Sequence, residues 1–351
     1  MADRPTTAKI AEELGLSRRT VSAVLNPRSK RPVADTTARQ VRDYLRQRGY
    51  VPSLHARRLS KRGGNIIGLF HCGSLYTHLT ESFNRLTDTL LSEDRDLEIV
   101  AARPGNRRQG LEELVARGVS RLVWIWDTGA PPSYEELGDL MPLLGQFDRV
   151  ILHNYYPHPC GEAPFDRRLD ETGIHRVVAD RLSGAARLGE LLTELGHRKV
   201  GLEYRKAGPI TNPDGEYRAR LLNYDLELFG CKRESPQETS PAERMRKSAE
   251  DVLSCIDQNG ITTVWFRNDE FAAHAMQKIL NAGVSIPDDL TVIGLTNISL
   301  AEVLRVPLTT VAIPGPEMTD CTLRLLQEDS SQLEHTFPTK LVLRQSHGPA
   351  P

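Results

Sequence analysis

The 351-residue chain has no apolar run approaching the roughly 20 residues that a bilayer-spanning helix needs. Its first residues also lack the apolar stretch of a secretory signal. A cytoplasmic protein with no membrane partner is the expectation. The five cysteines (Cys72, Cys160, Cys231, Cys255, Cys321) lie far apart with no C-x-x-C pair, which suits a reducing compartment and argues against a zinc site or a disulfide frame. G-x-G-x-x-G, P-loop, G-x-S-x-G and H-E-x-x-H patterns are all missing, and the ten histidines are scattered. Neither a metal nor a cofactor is expected, and an α/β enzyme is only the alternative reading, beside a stand-alone small-molecule-binding protein.

Net charge is also nearly absent, at −1, but it is unevenly spread. Residues 1–62 carry 15 Lys/Arg against 5 Asp/Glu, a net of +10. The remainder carries 30 basic against 41 acidic residues, a net of −11. A basic end on an acidic body points to nucleic acid at that end.

The basic end reads as a compact helical module. Ile10, Ala11 and Leu14 recur at helical spacing over Thr7–Leu14, Gly15 suits a tight turn that needs positive φ, and Ser17 is placed to cap a second helix. Val21, Val24 and Leu25 of that helix point inward, leaving Arg18, Arg19, Ser22 and Ala23 outward. A helix pair of this build can lay its second helix in a major groove, where an arginine near the helix start forks onto guanine O6 and N7. Thr20 and Ser22 suit phosphate or local contacts. A third helix is expected from Thr36 or Thr37 to about Arg48, with Val41 and Leu45 inward, stopped by Gly49-Tyr50-Val51-Pro52. The basic run Pro27-Arg28-Ser29-Lys30-Arg31-Pro32 between helices either follows the phosphate backbone or is a solvated turn. Ser53–Lys61 is too short for a stable isolated helix and would fold on binding a partner copy and DNA. Leu59 in it is the kind of side chain that wedges between base steps in a minor groove.

From Asn65 onward short apolar runs alternate with amphipathic segments. Strands are expected at Ile66–His71, Leu97–Ala101, Leu122–Trp126, Val150–His153, Val177–Ala179, Lys199–Glu203, Thr263–Phe266, Thr291–Gly294, Thr310–Ile313 and Lys340–Arg344. Helices are expected at Thr80–Leu91, Arg108–Arg117, Gly184–Leu195, Glu216–Phe229, Arg244–Asp257 and Glu270–Ala282. Such alternation means parallel sheets covered on both faces, and the length suggests two lobes. Ligands bind these folds beyond the carboxyl ends of strands. Ser74, Tyr76 and His78 follow the first strand and are candidates for a cleft mouth. Trp126 and Asp127 follow the third, although a core aromatic is an equally good reading of Trp126.

Ile10-Ala11, Gly15-Leu16-Ser17, Thr20-Val21-Ser22, Leu25-Asn26, Gly49-Tyr50-Val51-Pro52 and Ala56-Arg57-Arg58-Leu59 together resemble the lac-repressor-type (LacI/GalR) transcription regulators. In the body, Leu195-Gly196-His197-Arg198-Lys199-Val200, Phe266-Arg267-Asn268-Asp269, Ile286-Pro287-Asp288-Asp289-Leu290-Thr291-Val292-Ile293-Gly294 and Pro307-Leu308-Thr309-Thr310-Val311 resemble its periplasmic-binding-protein-like core. The resemblance implies a helix-turn-helix headpiece over 1–52, a hinge over 53–64, and an effector-binding and dimerisation core over 65–347. The core would divide into an N-lobe of about 65–196 and 313–338 and a C-lobe of about 197–312 and 339–347, each a doubly wound parallel sheet. It puts Arg18, Arg19 and Ala23 at base-reading positions, with Ser17, Thr20, Ser22 and Asn26 in the same DNA-contacting surface. Ala56, Arg57 and Leu59 fall in the minor-groove hinge. Arg220 and Asn268 match effector-binding positions. Thr296-Asn297 stands where relatives carry an aspartate that grips sugar hydroxyls. This chain also departs from the pattern at Ala23, at Asn223 in place of a glycine, and in a longer Pro27–Pro32 loop. The implied partners are double-stranded operator DNA, a sugar or related metabolite as effector, and a second copy of the chain. The implied function is an effector-controlled repressor on a near-palindromic site.

Overall fold

The computed structural model describes residues 7–25, 32–47, 66–73, 75–103, 105–126, 132–155, 169–205, 221, 223–233 and 241–351. Two compact units divide at Gly64/Asn65.

The first unit has three short helices, α1 (Thr7–Glu13), α2 (Arg18–Leu25) and α3 (Asp35–Gln47). Ile10, Ala11, Val21 and Val41 are buried together, with Leu14, Leu16, Val24 and Tyr44 packed around them. Gly15 turns the chain between α1 and α2 at φ 65°, a conformation costly for any residue with a Cβ. Ser17 Oγ accepts the Thr20 amide at 3.1 Å, supplying one of the bonds that the start of α2 lacks.

The second unit holds two six-stranded sheets. The first takes β1 (Ile66–Cys72), β2 (Asp96–Ala102), β3 (Arg121–Ile125), β4 (Arg149–Tyr155), β5 (His175–Asp180) and the late strand β11 (Glu334–Pro338), in the order β11-β5-β4-β3-β1-β2 and wholly parallel. Strand β1, Ile-Ile-Gly-Leu-Phe-His-Cys, is buried at nearly every position, as expected of a central parallel strand covered on both faces. Helices α4 (Thr77–Ser92) and α11 (Gly315–Leu325) cover one face through Leu79, Leu86, Leu90, Met318 and Leu325. The other is covered by α5 (Arg107–Ala116) and α6 (Tyr134–Leu144), through Leu111, Leu114, Leu137 and Leu140.

The second sheet takes β6 (Lys199–Arg205), β7 (Glu227–Arg233), β8 (Thr263–Trp265), β9 (Thr291–Thr296), β10 (Thr309–Ala312) and β12 (Lys340–Val342), in the order β12-β10-β9-β8-β6-β7. Only β12 runs antiparallel. Helices α8 (Pro241–Asn259) and α9 (Asp269–Asn281) bury Val252, Ala272, Ala275 and Ile279 against one face. On the other, α7 (Arg181–Glu194) buries Ala185, Leu188 and Leu192 beside Trp265 and Ile293. A four-residue helix, α10 (Leu300–Val303), follows β9.

These elements correct the sequence reading in several places. Helix α7 packs on the second sheet, so the first lobe ends at Asp180 rather than near 196. The carboxyl end of the expected helix Glu216–Phe229 is a turn and then strand β7. There Leu226 and Leu228 are buried on either side of the exposed Glu227, the alternation of a strand. Strand β11, an edge strand with no apolar run, has no counterpart in the sequence reading.

The chain passes between the two sheets three times, at 180–181, 313–314 and 339. Thr339 ties the third crossing to the first. Its hydroxyl donates to Asp180 O at 2.7 Å and accepts the Gly184 amide at 2.9 Å.

Candidate functional site between the lobes

The carboxyl ends of strands from both sheets meet around a cavity of about 240 Å³. Its first-lobe wall comes from α4 (His78, Ser82, Arg85), the end of β4 (His153, Asn154) and the start of α11 (Gly315, Thr319). Its second-lobe wall comes from Thr296 and Asn297, at the end of β9.

His153 is buried, and its Nδ1 lies 2.9 Å from Thr322 Oγ1. The Thr322 hydroxyl donates its one proton to Met318 O at 3.1 Å. The imidazole must therefore supply the proton of the first bond, which fixes the Nδ1–H tautomer and leaves Nε2 as an acceptor. Burial holds the His153 pKa down at about 4. His78 is held at about 3, first by burial, then by the Arg181 charge and by His153. Both rings are thus neutral at physiological pH.

Asn154 sits at φ 59°, where the register between β4 and β5 shifts. Such a bulge re-aims one side chain out of the ladder. Its Nδ2 donates to Trp126 O at 3.3 Å, which leaves the amide oxygen open to the cavity.

Thr296 (φ 116°) and Asn297 (φ 58°) hold conformations that non-glycine residues rarely adopt. Asp269 keeps them there. One carboxylate oxygen accepts the Ile298 amide at 3.0 Å and the Thr296 hydroxyl at 3.4 Å, and the other accepts the Thr310 hydroxyl at 2.6 Å. Burial pushes the Asp269 carboxyl up, and those hydrogen bonds pull it back. From the far side Arg344 donates to Asn297 Oδ1 at 2.8 Å, leaving the Asn297 amide nitrogen as a donor. Arg85 pairs with Asp320 of α11 at 2.7 Å, an exposed pair of small energetic weight.

The polar lining is therefore mostly uncharged, with two neutral imidazoles, two carboxamides and hydroxyls, and Glu81 and Arg85 are its charged members. It suits a neutral polar ligand bearing hydroxyl or N–H donors.

Of the residues expected to hold a ligand, Thr296 lines the cavity, with its hydroxyl turned to Asp269. Asn268 is buried, and its Oδ1 caps α9 by accepting the Glu270 amide at 2.6 Å. Tyr76 occupies the N-cap of α4 and stacks on His78, 6.4 Å between centroids. Trp126 belongs to the core, in a run of Phe70, Trp124, Trp126 and Tyr155 with successive centroids 5.2 Å apart. Ser74 and Arg220 lie outside the described residues, as does Asp127. Among the DNA-reading candidates, Ser17, Arg18, Arg19 and Ser22 are exposed, and Thr20 and Ala23 are half-buried. Asn26, Ala56, Arg57 and Leu59 lie outside the described residues.

Sequence reasoning missed Ser82, His153, Asn154 and Thr319, and it missed the part played by Asp269, whereas Asn297 was marked together with Thr296. The pair His153-Asn154 did leave a signal: two polar residues near the carboxyl end of an apolar strand.

Residues 190–347 match the family model of the periplasmic binding protein-like domain. Over almost its whole length the chain is similar to HTH-type transcriptional regulators. It is 25% identical to DegA of Bacillus subtilis (strain 168), across 99% of each chain. It is 27% identical to reg1 of Streptomyces lividans, across 98% of this chain and 97% of the relative. Among solved structures it resembles the lac repressor dimer bound to operator and the anti-inducer ONPF, with a TM-score of 0.74 and 19% identity over 99% of this chain and 100% of the other. It also resembles a LacI family regulator from Enterococcus faecium with bound ribose, with a TM-score of 0.62 and 21% identity over 82% and 100% of the two chains. Those structures establish the fold: two parallel-sheet lobes of periplasmic-binding-protein type.

Proposed function

The chain belongs to the lac-repressor-type (LacI/GalR) family of transcription regulators, and from that membership we propose that it is a sequence-specific DNA-binding repressor. It would grip a near-palindromic operator as a homodimer and answer to a small-molecule effector held between its lobes. Its relatives are regulators, not enzymes.

One observation carries the DNA reading. Arg18 and Arg19 stand exposed at the start of a serine-capped helix, directly after a left-handed glycine turn, in a segment of net charge +10. Residues at the start of a recognition helix meet base edges first. Ser22 flanks them on the outer face. Reading of the inner bases would fall to Ala23 and to the hinge residues Ala56, Arg57 and Leu59.

The cavity supports the effector. Its uncharged donors and acceptors fit a sugar or a related hydroxyl-rich metabolite, and structural neighbours are described with bound sucrose and bound ribose. Arg220 remains a candidate contact. Ligand control follows if the effector binds one lobe arrangement better than another.

Leu91, Ile99, Leu300, Val303 and Leu343 are exposed large apolar side chains on the body, Val303 at 77%. A second copy that covered some of them would bury apolar surface, and the two-fold symmetry of a dimer would double the contacts to DNA.

The test has two parts, run on the full chain. A thermal-shift screen against sugars, nucleosides and other metabolites should yield a stabilising ligand, and that ligand should change operator affinity at a fixed salt concentration. A ligand that stabilises the protein while leaving operator affinity unchanged would overturn the regulatory reading.

A further inference from the structure

Helix α4 opens the first lobe's wall of the cavity, yet it has no cap of its own. Tyr76 occupies its N-cap position and makes no side-chain capping bond. The cap comes from the other lobe. Thr77, the first residue of α4, donates its hydroxyl to Glu270 Oε1, and its backbone N–H is hydrogen-bonded to the same carboxylate. Glu270 is the second residue of α9, on the second sheet.

The neighbours of Glu270 explain why its side chain can cross the cleft. Asn268 already caps α9 by accepting the Glu270 amide. Asp269 is committed to Thr310, Thr296 and Ile298. Three consecutive residues thus divide three tasks: closing their own helix, holding the cleft floor, and reaching the opposite lobe. A carboxylate is the chemistry that a helix start favours, because it accepts amides that have no intrahelical partner and meets the positive end of the helix dipole.

We propose that Glu270 is an interlobe latch: it caps α4 from across the cleft and so holds the two lobes in the arrangement described above. Opening the cleft would remove the cap, leaving the first turn of α4 and its His78 less ordered. Glu270 is a positioning residue on this account and need not touch a ligand. The latch is independent of what the cavity binds or whether the first unit binds DNA.

Hydrogen exchange on the full chain, without ligand, tests it. In Glu270→Ala, amides in the first two turns of α4 should exchange about five- to tenfold faster, the loss typical of a missing cap. Glu270→Gln, which keeps an acceptor but not the charge, should fall between that variant and the parent. Thr77→Val should speed the same amides, and the double variant Thr77→Val/Glu270→Ala should be no faster than Glu270→Ala alone. The radius of gyration from small-angle scattering should rise in Glu270→Ala. Unchanged exchange in α4 would overturn the latch, as would acceleration confined to α9. If Glu270→Ala does not fold, Thr77→Val decides the matter by the same α4 readout.

Discussion

His78 and His153 are neutral because burial opposes their charge, and that has a consequence for stability. Their folded pKa values, about 3 and about 4, lie below the ordinary 6.5. As pH falls below about 6.5 the unfolded chain takes up protons that the folded chain refuses, so stability should drop by up to about 1.4 kcal/mol per pH unit for each ring. Above that range the two rings contribute no slope. Asp269 and Glu270 act with the opposite sign, since burial raises their pKa values. Their ionised forms cost stability above the raised values, and that cost is relieved as pH falls toward the ordinary values of 3.8 and 4.5. Urea titrations between pH 7 and 5 should show the histidine loss, and His153→Gln should make it shallower. An equal slope in that variant would mean that His153 is not a group whose protonation the folded chain resists. Gly294 offers a second residue-scale test, because a Cβ there would collide with Asp269 Oδ1. Gly294→Ala should cost about 1–3 kcal/mol in urea unfolding, with no gain from its improved propensity. Arg19→Ala should weaken operator binding by about 1–3 kcal/mol and relax base preference at one position. Uniform weakening across sequences would make Arg19 a phosphate contact instead.

Residue types point to part of this site and conceal the rest. Gly15 and Ser17 are readable because each has one dominant local use, and both serve it. Thr296 is readable as a cleft residue, but its bond to Asp269 is not, since nothing local says that residues 27 positions apart will meet. His153 looks like an incidental polar residue in an apolar strand until Thr322, on a distant helix, fixes its tautomer.

Among elements, the central strands are the most legible. β1, β4 and β9 are apolar runs that bury nearly every residue, which is what a parallel sheet with two covered faces imposes. Elements that break their own rules are hidden. Helix α6 contains Pro142, α11 opens on Gly315-Pro316, and β11 alternates exposed and half-buried residues along an edge. Strand β7 reads as the end of a helix because Leu221, Leu222 and Leu226 are spaced as a helix would space them. The lobe boundary is misplaced for a related reason: α7 follows β5 in sequence, but its apolar face fits the other sheet. The crossings between lobes give the element-scale prediction. Thr339→Val removes the hydroxyl that joins Asp180 O to the Gly184 amide, and should cost about 1–3 kcal/mol while speeding hydrogen exchange at 180–184. Unchanged exchange there would mean that the crossings are held by packing alone.

For the molecule as a whole, the division into a basic helical unit and an acidic two-lobed body is visible in charge and periodicity alone. The division of labour between them is the central claim: the first unit reads DNA as one half of a symmetric pair, and the body makes that reading conditional on a ligand. The proposed second copy would also bear on the body. Val303→Glu would place a charge on the most exposed large apolar side chain among the described residues, and sedimentation should then show weaker dimerisation. An unchanged dimer would move the interface elsewhere. The most direct test of the central claim is selection of binding sites from random duplex DNA with the full chain at a stated salt concentration. The account predicts enrichment of a two-fold-related pair of half-sites, lost when Arg18 and Arg19 are both replaced by alanine. Failure to enrich any sequence, or enrichment unaffected by that double replacement, would contradict it.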